Sequence, residues 1–378
     1  MKRMIVLAAA LAFCGLVPVA LQAEPATAPK TVVVDTEKEK EQPRTAAMPV
    51  APAKKVPAAG AKRWIDWQTG TVESRYRWIE NTAGVVTSDS MQHKQAFKAG
   101  FKFDEKGKYT IQAFAGTGSS FVGSWDNLGP GIGDPVWTFN LRQLYVQAQP
   151  VKGVEGSWGG MQVLRGEHTE ITSFDNDNYI IGGRGSVKRP GQLYFDEVAV
   201  TAGYFGDTNT PNVIKRFDRW DEHNYTQVLV GKKLGNAVAF SFDWTEIAEI
   251  STLRQAVKIT TKQWLPIDAF RYENYQRVNG LREDWGYTVS AEKAFTSKLS
   301  VVGGFADIDR FNGQLSGDRY FIGKRLFVEP KFQLLPELTL SAFFTEAVGN
   351  DFAVTNEHRF DFVVQYNVLK ALQKYGAW

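Results

Sequence analysis

Between Trp64 and the C-terminus the chain alternates apolar and polar residues in short runs, a pattern that few folds tolerate over such a length. Val238, Phe240, Phe242 and Trp244 are interleaved with Ala239, Ser241, Asp243 and Thr245. Phe360, Phe362, Val364, Tyr366 and Val368 alternate with Arg359, Asp361, Val363, Gln365 and Asn367. Leu253, Val257 and Ile259 alternate with Arg254, Lys258, Thr260 and Lys262. Side chains on a strand point to opposite faces with period two, so each run has one apolar and one polar face. Many such strands, ionised on one face, predict a sheet closed into a barrel with lipid outside and water inside.

Sixteen strand spans follow, at about 63–80, 91–104, 108–118, 136–149, 154–165, 178–188, 192–205, 222–234, 237–247, 252–264, 268–278, 284–294, 299–308, 319–332, 338–347 and 357–369. Connections after even-numbered spans are tight and carry turn residues, as in Glu105-Lys106-Gly107, Arg189-Pro190-Gly191, Gly235-Asn236 and Pro336-Glu337. Connections after odd-numbered spans are mostly long and polar, as in Gly118 to Pro135, Gly166 to Asp177 and Gly206 to Asp221; those near Ile250 and Asn279 are short. Sorting by parity is the mark of an up-and-down membrane barrel, whereas the Greek-key crossings of a soluble sandwich give no reason for it. The reading is an all-β, transmembrane, up-and-down antiparallel β-barrel of about 16 strands over residues 63–378. Counts of 14 and 18 stay open, because the first span is long and 268–278 alternates poorly.

Met1 to Ala23 reads as a cleaved signal peptide: Lys2 and Arg3, an apolar stretch from Ile5 to Leu21, then Leu21-Gln22-Ala23 before Glu24. Residues 24–62 are rich in Pro, Ala and Lys with almost no aromatics, so they read as a disordered periplasmic segment. The single cysteine, Cys14, lies in the signal, which removes disulfides and thiol chemistry from the mature chain. A formal net charge of +3 gives no footprint for nucleic acid. The 11 Trp, 13 Tyr and 25 Phe fit aromatic girdles at two membrane interfaces.

Parity assigns the polar face to the lumen. Its wall is expected to carry Glu73, Lys98, Lys102, Arg254, Lys258, Lys262, Arg359 and Asp361, together with Arg75, Arg77 and Arg142. A Lys or Arg facing mid-bilayer lipid costs about 2–4 kcal/mol, so the parity of these charges argues for a hydrated interior. The third long connection, Gly166 to Asp177, concentrates Glu167, Glu170, Asp175 and Asp177. In strand number, loop parity and loop charge the chain resembles the sixteen-stranded bacterial general porins, without matching a sequence motif of that family. The resemblance implies that this loop folds inward and that its four carboxylates face Arg75, Arg77 and Arg142 to form a constriction. It also implies a homotrimer. Trp378 is the type of terminal aromatic with which outer-membrane barrels end, although Lys370, Leu372, Lys374 and Gly376 break the alternation before it.

His93, His168, His223 and His358 occupy no catalytic or metal-ligating spacing, so no enzyme, metal or cofactor is expected. The function read from the sequence is a water-filled channel in the outer membrane of a Gram-negative bacterium, passing small hydrophilic solutes and ions. It would touch lipid and lipopolysaccharide and no nucleic acid. The alternatives are a substrate-specific channel for a sugar, polysaccharide or anion, and a structural or adhesive barrel with a plugged lumen.

Overall fold

The computed structural model describes residues 64–120, 123–175, 179–206, 209–261, 265–279, 285–309, 322–348 and 356–375. The expected signal peptide, the 24–62 segment, Asp177, Lys262 and Trp378 lie outside them. The first strands are β1 (Ile65–Asn81), β2 (Val86–Lys102), β3 (Tyr109–Gly116), β4 (Asp126–Gly131), β5 (Asn140–Val151) and β6 (Val154–Gln162). They are followed by β7 (Tyr179–Lys188), β8 (Glu197–Tyr204), β9 (Tyr225–Leu234), β10 (Val238–Ile247), β11 (Ile250–Thr260) and β12 (Ala269–Arg277). The last are β13 (Trp285–Ala294), β14 (Leu299–Ile308), β15 (Gly323–Leu335), β16 (Leu338–Ala347) and β17 (Asn356–Asn367).

Sixteen of these form a closed antiparallel barrel, shut by pairing of β1 with β17. The short β4 is an addition from the connection between β3 and β5. It pairs with β2 between Ser90 and His93, beyond Ala96, the last residue that β3 reaches.

Burial is inverted relative to a soluble protein. On β10, Ser241, Asp243 and Thr245 are buried, whereas Val238, Phe240, Phe242 and Trp244 are half-exposed on the outer face. Arg325, Arg359 and Glu273 are fully buried, while Leu326, Val328, Phe344 and Phe362 are exposed. In water this would sacrifice both the hydrophobic term and the solvation of the charges; around a lipid-facing barrel it satisfies both.

One connection differs from the expected pattern. Spans 63–80 and 91–104 imply a ten-residue first outer loop, but β1 and β2 extend into a tight turn. There the Asn81 carboxamide accepts from the Ala83 and Val85 amides at 3.0 Å each, and Gly84 takes φ +72°. The short turn before Ile250 places Ala248 and Glu249 at φ 47° and 72°, left-handed positions that non-glycine residues occupy at a cost. The Asn279 side chain props it, accepting from the Ser251 amide at 2.8 Å and donating to the Glu249 carbonyl.

At the other end the chain leaves the barrel as a helix. β17 stops at Asn367, which caps α1 (Val368–Lys374) by accepting from the Lys370 amide at 2.9 Å. Leu369 packs on Gly70, where a Cβ would stand 2.9 Å from the Leu369 Cγ, so a side chain at 70 has no room. Lys374 bridges to Glu337 in the β15–β16 turn at 2.6 Å. The hydrogen bond from Lys374 holds the Glu337 carboxyl below the usual carboxylate range, and Glu337 raises the Lys374 ammonium in return. This helix is the physical reason that residues after Asn367 lose the strand alternation.

Candidate constriction of the lumen

The connection between β6 and β7, the third of the long series, folds into the barrel and is fastened across its inner wall. Gln227 of β9 donates to the Leu164 carbonyl at 2.8 Å. Ser241 of β10 accepts from the Glu167 amide at 2.9 Å. Gly166, at φ +58°, allows that approach, since a Cβ there would stand 2.7 Å from the Ser241 Cβ. Arg254 of β11 donates to the Thr172 carbonyl at 3.1 Å, and its guanidinium lies 4.4 Å from the centre of the Phe174 ring.

Glu273 of β12 makes the densest contact. One of its carboxylate oxygens accepts from the Thr169 amide at 2.8 Å, the Thr169 hydroxyl at 3.1 Å and the Thr172 hydroxyl at 2.6 Å. At the turn between them, Ile171 is buried in a cluster with Tyr275, Ala306, Ile308, Phe327 and Phe343. The loop therefore reaches from β9 as far as β16.

Basic residues gather on β1 and β17. Asp361 accepts from Arg359 at 2.6 Å and Arg77 at 3.1 Å, with Arg75 at 3.8 Å. Arg75 also donates from its Nε to Gln92 at 2.9 Å and stacks on Trp125, 4.1 Å from the ring centre. Trp125 precedes β4, so a second outer connection contributes to the interior. Phe343 links this cluster to the loop, because Arg359 lies 5.6 Å from the ring that packs with Ile171. Three arginines around one carboxylate leave two formal positive charges in a confined wall.

The remaining expected wall residues share the inward parity of these groups. Glu73 accepts from Gln365 at 2.8 Å. Lys98 lies 5.9 Å from the Tyr145 ring. Lys102 is in register with Thr110 and Lys258 with Arg271.

Of the groups expected to confront one another, Arg75 and Arg77 lie against a strand carboxylate, Asp361, and Glu170 lies 3.5 Å from Arg165 of its own loop. Glu167 is held through its backbone, and Asp175 sits half-buried after Phe174. Arg142 is 0% exposed and donates to the Thr117 and Gly123 carbonyls at 3.1 Å each, bracing the β3–β5 connection. Sequence reasoning missed Glu273, Ser241, Gln227 and Trp125. Ser241 and Gln227 lie on predicted strands, Glu273 lies on the poorly alternating span 268–278 and Trp125 in a connection, and a choice of partner made across the lumen leaves no local signal.

No family model matches the chain, and no curated protein matches its sequence. Solved structures do match. A mutant of Rhodopseudomonas blastica porin aligns with TM-score 0.53 and 12% identity, covering 80% of this chain and 99% of that chain. Salmonella typhi OmpF in complex with daunomycin aligns with TM-score 0.52 and 9% identity, covering 80% and 97%. The fold is that of a general-porin-like barrel. At these identities the likeness concerns architecture alone. Among the described residues, no three His, Asp or Glu side chains are grouped to hold a metal ion.

Proposed function

We propose that this chain is an outer-membrane porin, forming a water-filled passage for passive diffusion of small hydrophilic solutes and ions in a Gram-negative bacterium. The observation that carries the proposal is the inward-folded third loop, fastened to Glu273 and Arg254, inside a wall lined by Arg75, Arg77, Arg359 and Asp361. A loop that narrows a charged, low-dielectric-walled lumen sets a size limit and an ion preference without any covalent step. The net positive wall favours anions. The selectivity residues proposed are Arg75, Arg77, Glu167 and Glu170, together with the wall residues Arg359 and Asp361.

Assembly into a trimer is part of the same proposal. On β1 and β2, Ser74 is exposed and Gln95 half-buried on the parity opposite to Arg75 and Gln92, so polar groups face outward at mid-strand. Lipid solvates such groups poorly, and a second copy covering them relieves the cost. The remaining outer surface would meet lipid and lipopolysaccharide.

Liposome swelling with uncharged sugars of graded size tests the reading. Swelling rates that fall steeply with sugar size support a diffusion channel. No swelling with any sugar, from protein that shows heat-modifiable migration, would favour a plugged structural barrel.

A further inference from the structure

Under the third loop, a cavity of about 320 Å³ lies against β11 to β15, within the size range of small-molecule pockets. Its floor is organised in two rows by strand register. One row holds Lys258, Arg271 and Ser290 on adjacent strands, with the two cations directly paired across β11 and β12. Like charges so placed repel unless anions compensate them, and only Arg271 has one described, the Glu273 carboxylate at 3.8 Å. The next row, toward the short-turn end, holds Glu292 and Glu329 on either side of Val302. Inward positions two residues apart on a strand are separated by roughly 6.5 Å.

Two observations mark this cavity as a candidate binding site. Among the described residues, the Lys258 and Glu292 side chains have neither hydrogen-bond nor ion-pair partners, although each has opposite charge within the same cavity. The roof carries His168, 4% exposed, whose Nε2 has no hydrogen-bond partner. A buried polar atom without a partner costs about 1–3 kcal/mol, so its retention needs a reason.

We infer that this cavity is a subsite for zwitterionic solutes of amino-acid to dipeptide size. The carboxylate sits at Lys258 and Arg271 under His168, and the ammonium at Glu292 and Glu329. Two rows of opposite charge about one dipeptide length apart match a solute carrying both charges, and match a sugar or a simple anion on one row only. The inference rests on the channel reading, since the solute must enter the lumen to reach the cavity.

Diglycine is the probe, with N-acetyl-diglycine and diglycine amide as controls that each lack one charge. Binding to the detergent-solubilised full chain is measured by calorimetry, and current through the reconstituted chain is measured against probe concentration. Diglycine is expected to bind saturably and reduce the current, and each control to bind about tenfold more weakly, the loss for one charge-assisted hydrogen bond. Lys258→Ala and Glu292→Gln touch no structural partner and are expected to weaken diglycine by a similar factor while preserving heat-modifiable migration. Conductance without diglycine binding overturns the subsite and leaves the channel standing. Equal binding of all three probes, or variants indistinguishable from the parent, also overturns it. Absence of conductance refutes the channel, and calorimetry then still decides the subsite.

Discussion

Replacing Glu273 by alanine removes the main polar anchor of the third loop. The carboxylate oxygen receives three donors at 2.6, 2.8 and 3.1 Å, and Glu273 is fully buried. Charge-assisted hydrogen bonds contribute about 1.5–3 kcal/mol each but are not additive on one oxygen, and truncating one partner of a buried polar set costs about 3–5 kcal/mol. Arg271 adds little, since its guanidinium stays 3.8 Å from the other oxygen. The loop keeps its contacts to Ser241 and Arg254 and the Ile171 cluster, so the loss appears as a shift in docking equilibrium and not as unfolding of the barrel. At about 1.4 kcal/mol per tenfold, the undocked population rises roughly 100- to 4,000-fold. Single-channel recording is expected to show larger mean conductance and added open-channel noise. Thr172→Val, which deletes the 2.6 Å donor alone, is expected to fall between the parent and Glu273→Ala. Normal migration of Glu273→Ala with unchanged conductance and noise would mean that the loop does not narrow the path.

Other outcomes follow from the same contacts. Arg75→Gln with Arg77→Gln leaves Arg359 alone with Asp361, taking the cluster from two formal positive charges to none, and the reversal potential in a salt gradient is expected to move toward cation preference. The α1 latch is expected to hold while Glu337 is ionised and Lys374 protonated. Because the Glu337 carboxyl is held low, its contribution is present above the ordinary carboxylate range and is lost as pH falls through the depressed value. Because the Lys374 ammonium is raised, its contribution is present below the ordinary lysine range and is lost as pH rises through the elevated value. The protection factors of the 368–374 amides, which correct for the intrinsic pH dependence of exchange, are expected to be high between those limits and lower outside them; pH-independent protection would refute the latch. Glu249→Gly relieves a left-handed residue at φ 72° and is expected to stabilise the barrel by about 1 kcal/mol, read as a higher temperature for the gel-mobility shift.

Much of the barrel was legible in the sequence because lipid and water impose opposite demands on the two faces of every strand. Ser241, Asp243 and Thr245 could face inward only if Phe240, Phe242 and Trp244 faced out, and the register of β10 with its neighbours follows. The tight turn at Asn81 was obscured by Thr87 to Ser90, polar residues that read as loop yet continue β2. The site was legible as a set of charges and not as a set of pairs. Arg254 reads as a lumen cation, but nothing on β11 says that it grips the Thr172 carbonyl, 82 positions away. Arg142 shares the wall's composition, yet carbonyls of a neighbouring connection claim it. Such choices depend on how a loop crosses an open space, which strand periodicity does not encode.

The central claim is an open, loop-narrowed lumen, and single-channel current of the purified full chain in a planar bilayer tests it most directly. The account predicts stepwise, ohmic openings with anion preference in a potassium chloride gradient. Protein that inserts and shows heat-modifiable migration but produces no conductance steps would contradict it.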